Sequence, residues 1–166
     1  QARLDLGDLG EKLSDLINSW IIDYGKEIEI KIEPGRYIVA ESGILLGTVN
    51  AVKRNYKTKY IGTDLGFNVL VRPVMYDSHH DIEIYREKSN PSLKDETVSI
   101  VGNICETGDV ISKDRKLPEI FEADILGVLD SGAYGYSMSS NYNNRLRPAE
   151  VLIETDGNSR LIRKRD

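Results

Sequence analysis

After Tyr37 most apolar runs in this chain are short and are bounded by Gly, Pro, Asn or Asp. A stable helix needs roughly 10 residues of unbroken 3.6-residue periodicity, whereas a strand needs only about 5. That punctuation confines most of the chain to β structure. The runs 43–56, 59–63, 81–85, 97–102, 123–129, 150–154 and 160–163 read as seven strands. Asp156-Gly157 is a hairpin signal between the last two. Helical patterning is limited to short pieces near 68–76 and 132–139, and residues 87–96 read as a polar surface loop. The expected class is mainly β, an antiparallel barrel or sandwich.

The first residues are of another kind. Leu9, Leu13, Leu16, Ile17 and Trp20 recur at helical spacing from Asp8 to about Asp23, and Gly25 supplies a stop. Glu27 to Ile32 then alternates strictly, a strand signature, and Glu33-Pro34-Gly35-Arg36 breaks it with a turn. A helix, a strand and a loop at the strand's end resemble one unit of a parallel α/β fold, where ligands sit beyond strand C-termini. Residues 1–36 are therefore expected to be the remnant of an α/β domain, and residues 37–166 a separate β domain. The chain opens at Gln1 without methionine and reads as a piece of something longer.

The chain has 166 residues, 30% of them charged, with a formal charge of −5 and both signs interspersed. No basic stripe stands out, which argues against nucleic acid as a partner. No apolar run approaches the roughly 20 residues that span a bilayer. One cysteine and no recognisable export signal give a reducing, cytoplasmic setting as the expectation. His79-His80 has no Cys or further His to complete a metal set, so no metal is expected.

Cys105 is the only cysteine; it is either a small core residue or a chemical group. It stands beside a carboxylate in the run Cys105-Glu106-Thr107-Gly108-Asp109, after an apolar strand. Glu33-Pro34-Gly35-Arg36 is either a surface turn with a salt bridge or an approach for an anion. Arg72 and Tyr76 lie four apart, so one helical turn would put them on one face. They are either a carboxylate clamp or an ordinary helix end. Gly132-Ala133-Tyr134-Gly135 could nest an anion, with Tyr134 as a donor, or simply bury a tyrosine. The polar run Asn141 to Pro148 could be purely structural.

Five runs occur in an order that resembles the diaminopimelate decarboxylase family. They are Glu33-Pro34-Gly35-Arg36-Tyr37, Asp64-Leu65-Gly66-Phe67-Asn68 with Arg72-Pro73 and Tyr76-Asp77, Cys105-Glu106-Thr107-Gly108-Asp109, Gly132-Ala133-Tyr134-Gly135 and Arg147-Pro148-Ala149-Glu150-Val151-Leu152. The likeness extends from about Leu9 to Arg165. Thr107 departs from the serine common in the family.

The resemblance implies an N-terminal (β/α)8 barrel carrying pyridoxal 5'-phosphate and a C-terminal β domain of the alanine racemase type. It also implies a homodimer whose subunits share each site, and conversion of meso-2,6-diaminopimelate to L-lysine and CO2. Residues 1–36 would be the barrel's last helix and strand. No lysine here matches the one that holds the cofactor, so the piece alone is expected to be inactive. By the same likeness Glu33 holds the proton on the cofactor's ring nitrogen. Gly35, Arg36 and Tyr134 lie at its phosphate, with Arg36 and Tyr134 also reaching substrate. Arg72 and Tyr76 grip the far carboxylate, and Glu106 takes the far ammonium. Cys105 is the acid that reprotonates carbon from the partner subunit. A thiol at its ordinary pKa of about 8.5 is mostly protonated at neutral pH, as an acid must be. The alternatives are a sister decarboxylase acting on ornithine, arginine or carboxynorspermidine, and a non-catalytic β binding module.

Overall fold

A computed structural model describes residues 4–87 and 93–166. The chain divides into two compact units, Gln1–Glu33 and Pro34–Asp166.

In the first unit, helix α1 spans Leu6–Tyr24. The Asp5 carboxylate caps it by accepting the Asp8 N–H at 3.1 Å, the bond that makes Asp a favoured N-cap. Gly25 ends it at φ 70°, a left-handed position that suits glycine. Trp20 and Tyr24 stack with centroids 4.7 Å apart. The alternating segment Glu27–Ile32 does not form the expected strand. Alternation sets which side chains face which way. A strand also needs a neighbour to take its N–H and C=O groups, and no described strand pairs with this segment.

In the second unit, the turn expected at Pro34–Arg36 instead leads into a short helix, α2, Gly35–Val39. Pro34 caps it at φ −81°, close to the value a helix entry requires. The strands follow: β1 Leu45–Asn55, β2 Thr58–Thr63, β3 Ile82–Tyr85, β4 Asp95–Val101, β5 Val110–Pro118, β6 Ile125–Val128, β7 Glu150–Ile153 and β8 Ser159–Arg163. A third helix, α3, Arg72–Tyr76, sits between β2 and β3. Six strands make one curled sheet in the order β3-β6-β1-β2-β4-β5, while β7 and β8 pair separately. All neighbours run antiparallel except β2 and β4, which are parallel. The fold is mainly β, as the punctuation of the sequence implies.

The core lies at the centre of that sheet. Val49, Ile61, Leu70, Val98, Ile100 and Leu126 are each at most 2% exposed, and burial of each such side chain contributes about 1.5–3 kcal/mol. Strand β5 is the element that sequence pattern does not show. Its middle is Lys113-Asp114-Arg115-Lys116, and Asp114 at φ 49° interrupts the alternation. Pairing with β4, irregular in register beside Ile100, makes it a strand. Of the loop expected at 87–96, residues 88–92 lie outside the described residues, and Asp95 and Glu96 already belong to β4. The Asp156-Gly157 hairpin is present, with Gly157 at φ 85°.

Gly132 packs the 131–135 turn onto the end of α2. A Cβ there would stand 2.0 Å from the Val39 carbonyl oxygen. The contact is held by Ser131 N–H to Gly43 O at 2.9 Å and Gly132 N–H to Ala40 O at 3.0 Å. It brings Tyr134 to the same end of the unit as Gly35 and Arg36.

His79 and His80 precede β3. His79 is at the surface with Asp81 and Arg115, but His80 is only 5% exposed. Its Nδ1 donates to the Leu129 carbonyl at 2.8 Å, because a carbonyl can only accept. Burial holds its pKa below the ordinary 6.5, aided by the positive charges of Arg72 and His79 and opposed by that hydrogen bond and by Asp130. The unfolded imidazole therefore takes a proton near pH 6.5 and the folded one only at lower pH, so stability rises with pH across that window. Unfolding midpoints in denaturant should fall between pH 7 and 5, and His80→Gln should lose less stability over the same interval. Equal losses in both proteins would rule out His80 as the titrating group.

Candidate active site

Two stretches of chain, 64–76 and 102–109, are stitched together before either presents a chemical group. The Asp64 carboxylate accepts the Thr48 N–H at 2.7 Å. The Leu65 carbonyl accepts from Asn103 N–H at 3.0 Å. The centre of the joint is Asp109, a buried carboxylate. Its Oδ1 accepts Phe67 N–H and its Oδ2 accepts Ile104 N–H, both at 2.7 Å. Burial raises its pKa above the usual carboxylate value, while those two bonds and the charge of Arg145 oppose the rise. Gly102 allows the close approach: a Cβ would lie 2.2 Å from Asp109 Oδ2 and 2.5 Å from the Leu65 carbonyl oxygen.

With its ends fixed, the 102–109 turn points Cys105 and Glu106 outward, and both are exposed. Cys105 is thus not a core residue. Asn143 Nδ2 donates to its Sγ at 3.3 Å. Tyr142 Oη donates to Glu106 Oε1 at 2.6 Å, which pushes the phenol's pKa above its ordinary value.

The 64–76 stretch ends in α3, whose first residue is Arg72. Arg72 is only 8% exposed, unusual for a guanidinium. Its Nη2 donates to Ser78 Oγ at 3.1 Å. Its Cζ lies 5.7 Å from the Tyr76 ring centroid and 5.4 Å from that of Tyr134. Two aromatic rings and one hydroxyl therefore hold a cation in place, with no carboxylate in hydrogen-bond contact among the described residues. Such a cation is poised for an external anion. Tyr134 is at φ 59°, and its Oη is 3.6 Å from where a Gly35 Cβ would be. Gly35 leaves that hydroxyl room, and Arg36 follows on exposed backbone. A donor hydroxyl, bare backbone and a guanidinium suit the phosphate end of a cofactor. Glu33 is exposed and closes the first unit.

The structure thus groups Arg72 with Tyr76 and Tyr134, and Cys105–Glu106 with two residues that sequence reasoning left as scaffold, Tyr142 and Asn143. A cleft of about 960 Å3 lies beside α3 and the 106–109 turn. Its walls include Val74, Ser78, His80 and Glu106, but Arg72, Tyr134 and Cys105 are outside them. Chemistry here is better located by the side-chain groupings than by that cleft. The asparagine-rich run points only to left-handed backbone, which Asn tolerates and which Asn143 and Asn144 adopt at φ 56° and 57°, and not to the contacts of Tyr142 and Asn143.

Comparison with known proteins follows the same stretches. Residues 20–132 match the family model for the pyridoxal-dependent decarboxylase C-terminal sheet domain. Diaminopimelate decarboxylase of Methanothermobacter thermautotrophicus is 43% identical over 165 residues, covering 98% of this chain and 37% of that protein. The enzyme of the same name from Archaeoglobus fulgidus is 45% identical over 134 residues, 81% of this chain and 31% of that one. The crystal structure of diaminopimelate decarboxylase from Helicobacter pylori complexed with L-lysine superimposes with TM-score 0.80 at 32% identity, covering all of this chain and 38% of that one. The chain spans about a third of the length of these relatives.

Replacing Asp109 by Ala leaves the buried Ile104 N–H and the half-buried Phe67 N–H unmet and should cost roughly 2–4 kcal/mol in denaturant unfolding, at about 1–3 kcal/mol for a buried group and less for a half-buried one. Amide exchange at Phe67 and Ile104 should speed up with it. A loss below about 0.5 kcal/mol, within the range of an ordinary surface substitution, would show that the carboxylate is not the joint.

Proposed function

The chain belongs to the pyridoxal-dependent decarboxylases, through their C-terminal sheet domain, and from that membership we propose that it supplies the substrate-facing part of a diaminopimelate decarboxylase. The reaction is removal of CO2 from meso-2,6-diaminopimelate to give L-lysine. The observation that carries this reading is the buried Arg72 guanidinium held between Tyr76 and Tyr134. A diamine-forming relative acts on a substrate with no far carboxylate and has no use for such a cation. Diaminopimelate carries an amino-acid group at each end. Arg72 with Tyr76 receives the far carboxylate, and Glu106 receives the far ammonium.

Residues 1–36 are read as the closing piece of the barrel and residues 37–166 as the β domain. Gly35, Arg36 and Tyr134 would hold the phosphate of pyridoxal phosphate, and Glu33 its ring nitrogen. When bound, that cofactor supplies an electron sink for the pair left behind by CO2. Cys105 then delivers a proton to the carbon that lost its carboxylate. Its exposed position on the 102–109 turn suits delivery into a site completed by a second copy, so the working form is a homodimer. No described helix is long and apolar enough to cross a membrane, and the place of action is the cytoplasm.

The complete enzyme should decarboxylate meso-diaminopimelate and leave ornithine untouched, measured as CO2 release. Turnover of ornithine alone would transfer the chain to a sister activity, and turnover of neither would favour a binding module. Cys105→Ala should lower kcat by roughly 100-fold, the scale of a lost general acid, with KM nearly unchanged. A raised KM at constant kcat would remove Cys105 from the acid role.

A further inference from the structure

We propose that Tyr142 and Asn143 are positioning residues that clamp Glu106 and Cys105 from within the same chain. The proposal rests on the roles assigned above to those two residues. Tyr142 Oη donates to Glu106 Oε1 at 2.6 Å, and Asn143 Nδ2 donates to Cys105 Sγ at 3.3 Å. Consecutive residues of one turn thus hold consecutive residues of another.

The turn is built to do this. Tyr142–Asn144 forms a single 3-10 turn interrupted at Asn143, where φ is 56° and ψ 28°. A right-handed residue there would continue the turn and direct its side chain elsewhere. The Asn141 amide closes the turn by donating to the Arg145 carbonyl at 3.1 Å. Ser140 N–H donates to Asn68 O at 2.8 Å, and Asn68 Nδ2 donates back to Ser140 O at 3.3 Å. The Tyr142 ring lies against Phe67 at 5.5 Å between centroids. Phe67 is the residue whose N–H is taken by Asp109. The clamp is fastened at Phe67 and Asn68 and the clamped turn at Phe67, so the two share one anchor, which fixes their spacing.

The chemistry differs at the two contacts. The phenol occupies one lone pair of Glu106 and leaves the other oxygen free to receive an ammonium. A carboxylate fixed in this way loses less conformational freedom when substrate arrives. At Cys105 the sulfur accepts from Asn143, so its own proton is directed away from the amide. When the S–H bond breaks and the new C–H bond forms, the S–H electron pair stays on sulfur as thiolate. The Asn143 N–H stabilises that thiolate until water returns a proton. Among the described residues, the titratable groups at this thiol include Tyr142, which interacts with it electrostatically, and its chain neighbour Glu106.

The test uses the complete cofactor-loaded enzyme. Tyr142→Phe should raise KM for meso-diaminopimelate roughly threefold to tenfold with kcat within about twofold, since a lost hydrogen bond to a charged group weakens binding of its ligand. Asn143→Gly removes the donor at a backbone angle that glycine adopts freely. It should lower kcat rather than raise KM. It should also slow Cys105 alkylation by iodoacetamide at fixed pH, read by peptide mass spectrometry, by roughly threefold, since the lost N–H no longer stabilises negative charge on sulfur. An unchanged KM in Tyr142→Phe or an unchanged alkylation rate in Asn143→Gly would overturn the clamp. A wild-type enzyme inactive on meso-diaminopimelate would overturn the functional reading instead, and the alkylation rate would still judge the Asn143 contact by itself.

Discussion

The Asp109 carboxylate is the interaction on which the candidate site depends. It accepts one backbone N–H from each of two stretches that are distant in sequence, at Phe67 and Ile104. One stretch continues into α3 and delivers Arg72; the other turns outward and delivers Cys105 and Glu106. A carboxylate is suited to this task because it offers two oxygens with several lone pairs and no donor of its own. Its burial has a cost, visible in its raised pKa, and the two short bonds offset part of it. Gly102 and Gly66 let the strands of this joint approach, since a side chain at either would meet Asp109 or Ile104 well inside contact distance.

The proposed function gives the charges around that joint a partner in the substrate. Arg72 is buried among rings and a hydroxyl rather than paired with a carboxylate. A buried cation with no carboxylate partner among the described residues is costly, which supports its proposed role of receiving an anion. Glu106 is the reverse case: exposed, held by a phenol, and open to an incoming cation. In the proposed function the far amino-acid group of meso-diaminopimelate brings a carboxylate for Arg72 and an ammonium for Glu106.

Much of this was legible in the sequence, for physical reasons that differ by element. Gly25 and the Asp156-Gly157 turn are local signals, fixed by backbone sterics at φ 70° and 85°, so they read correctly without a fold. Core strand β2 alternates in burial because one face is buried, whereas β4 is an apolar run that buries Val98, Ser99 and Ile100 in succession. Glu27–Ile32 alternates too, yet pairs with no described strand, because pairing is a property of two segments and alternation of one. Strand β5 fails the opposite way: its charged centre hides it, and its partner β4 makes it. Arg72, Tyr76, Cys105 and Glu106 could be singled out by residue type and order. Tyr142 and Asn143 could not, because their importance lies in contacts 36 and 38 residues away, across a turn that resembles ordinary polar linker.

The central claim is that Arg72 reads the far carboxylate of the substrate, and the steady-state kinetics of Arg72→Met in the complete enzyme test it most directly. Met keeps the buried volume and removes the charge, and the unfolding midpoint of the same variant reports whether the fold survives. With the fold intact, kcat/KM for meso-diaminopimelate should fall by roughly 100-fold or more, the loss expected for a buried charge-assisted pair. A folded Arg72→Met enzyme that retained kcat/KM within about threefold of wild type, under 1 kcal/mol of transition-state binding, would contradict it.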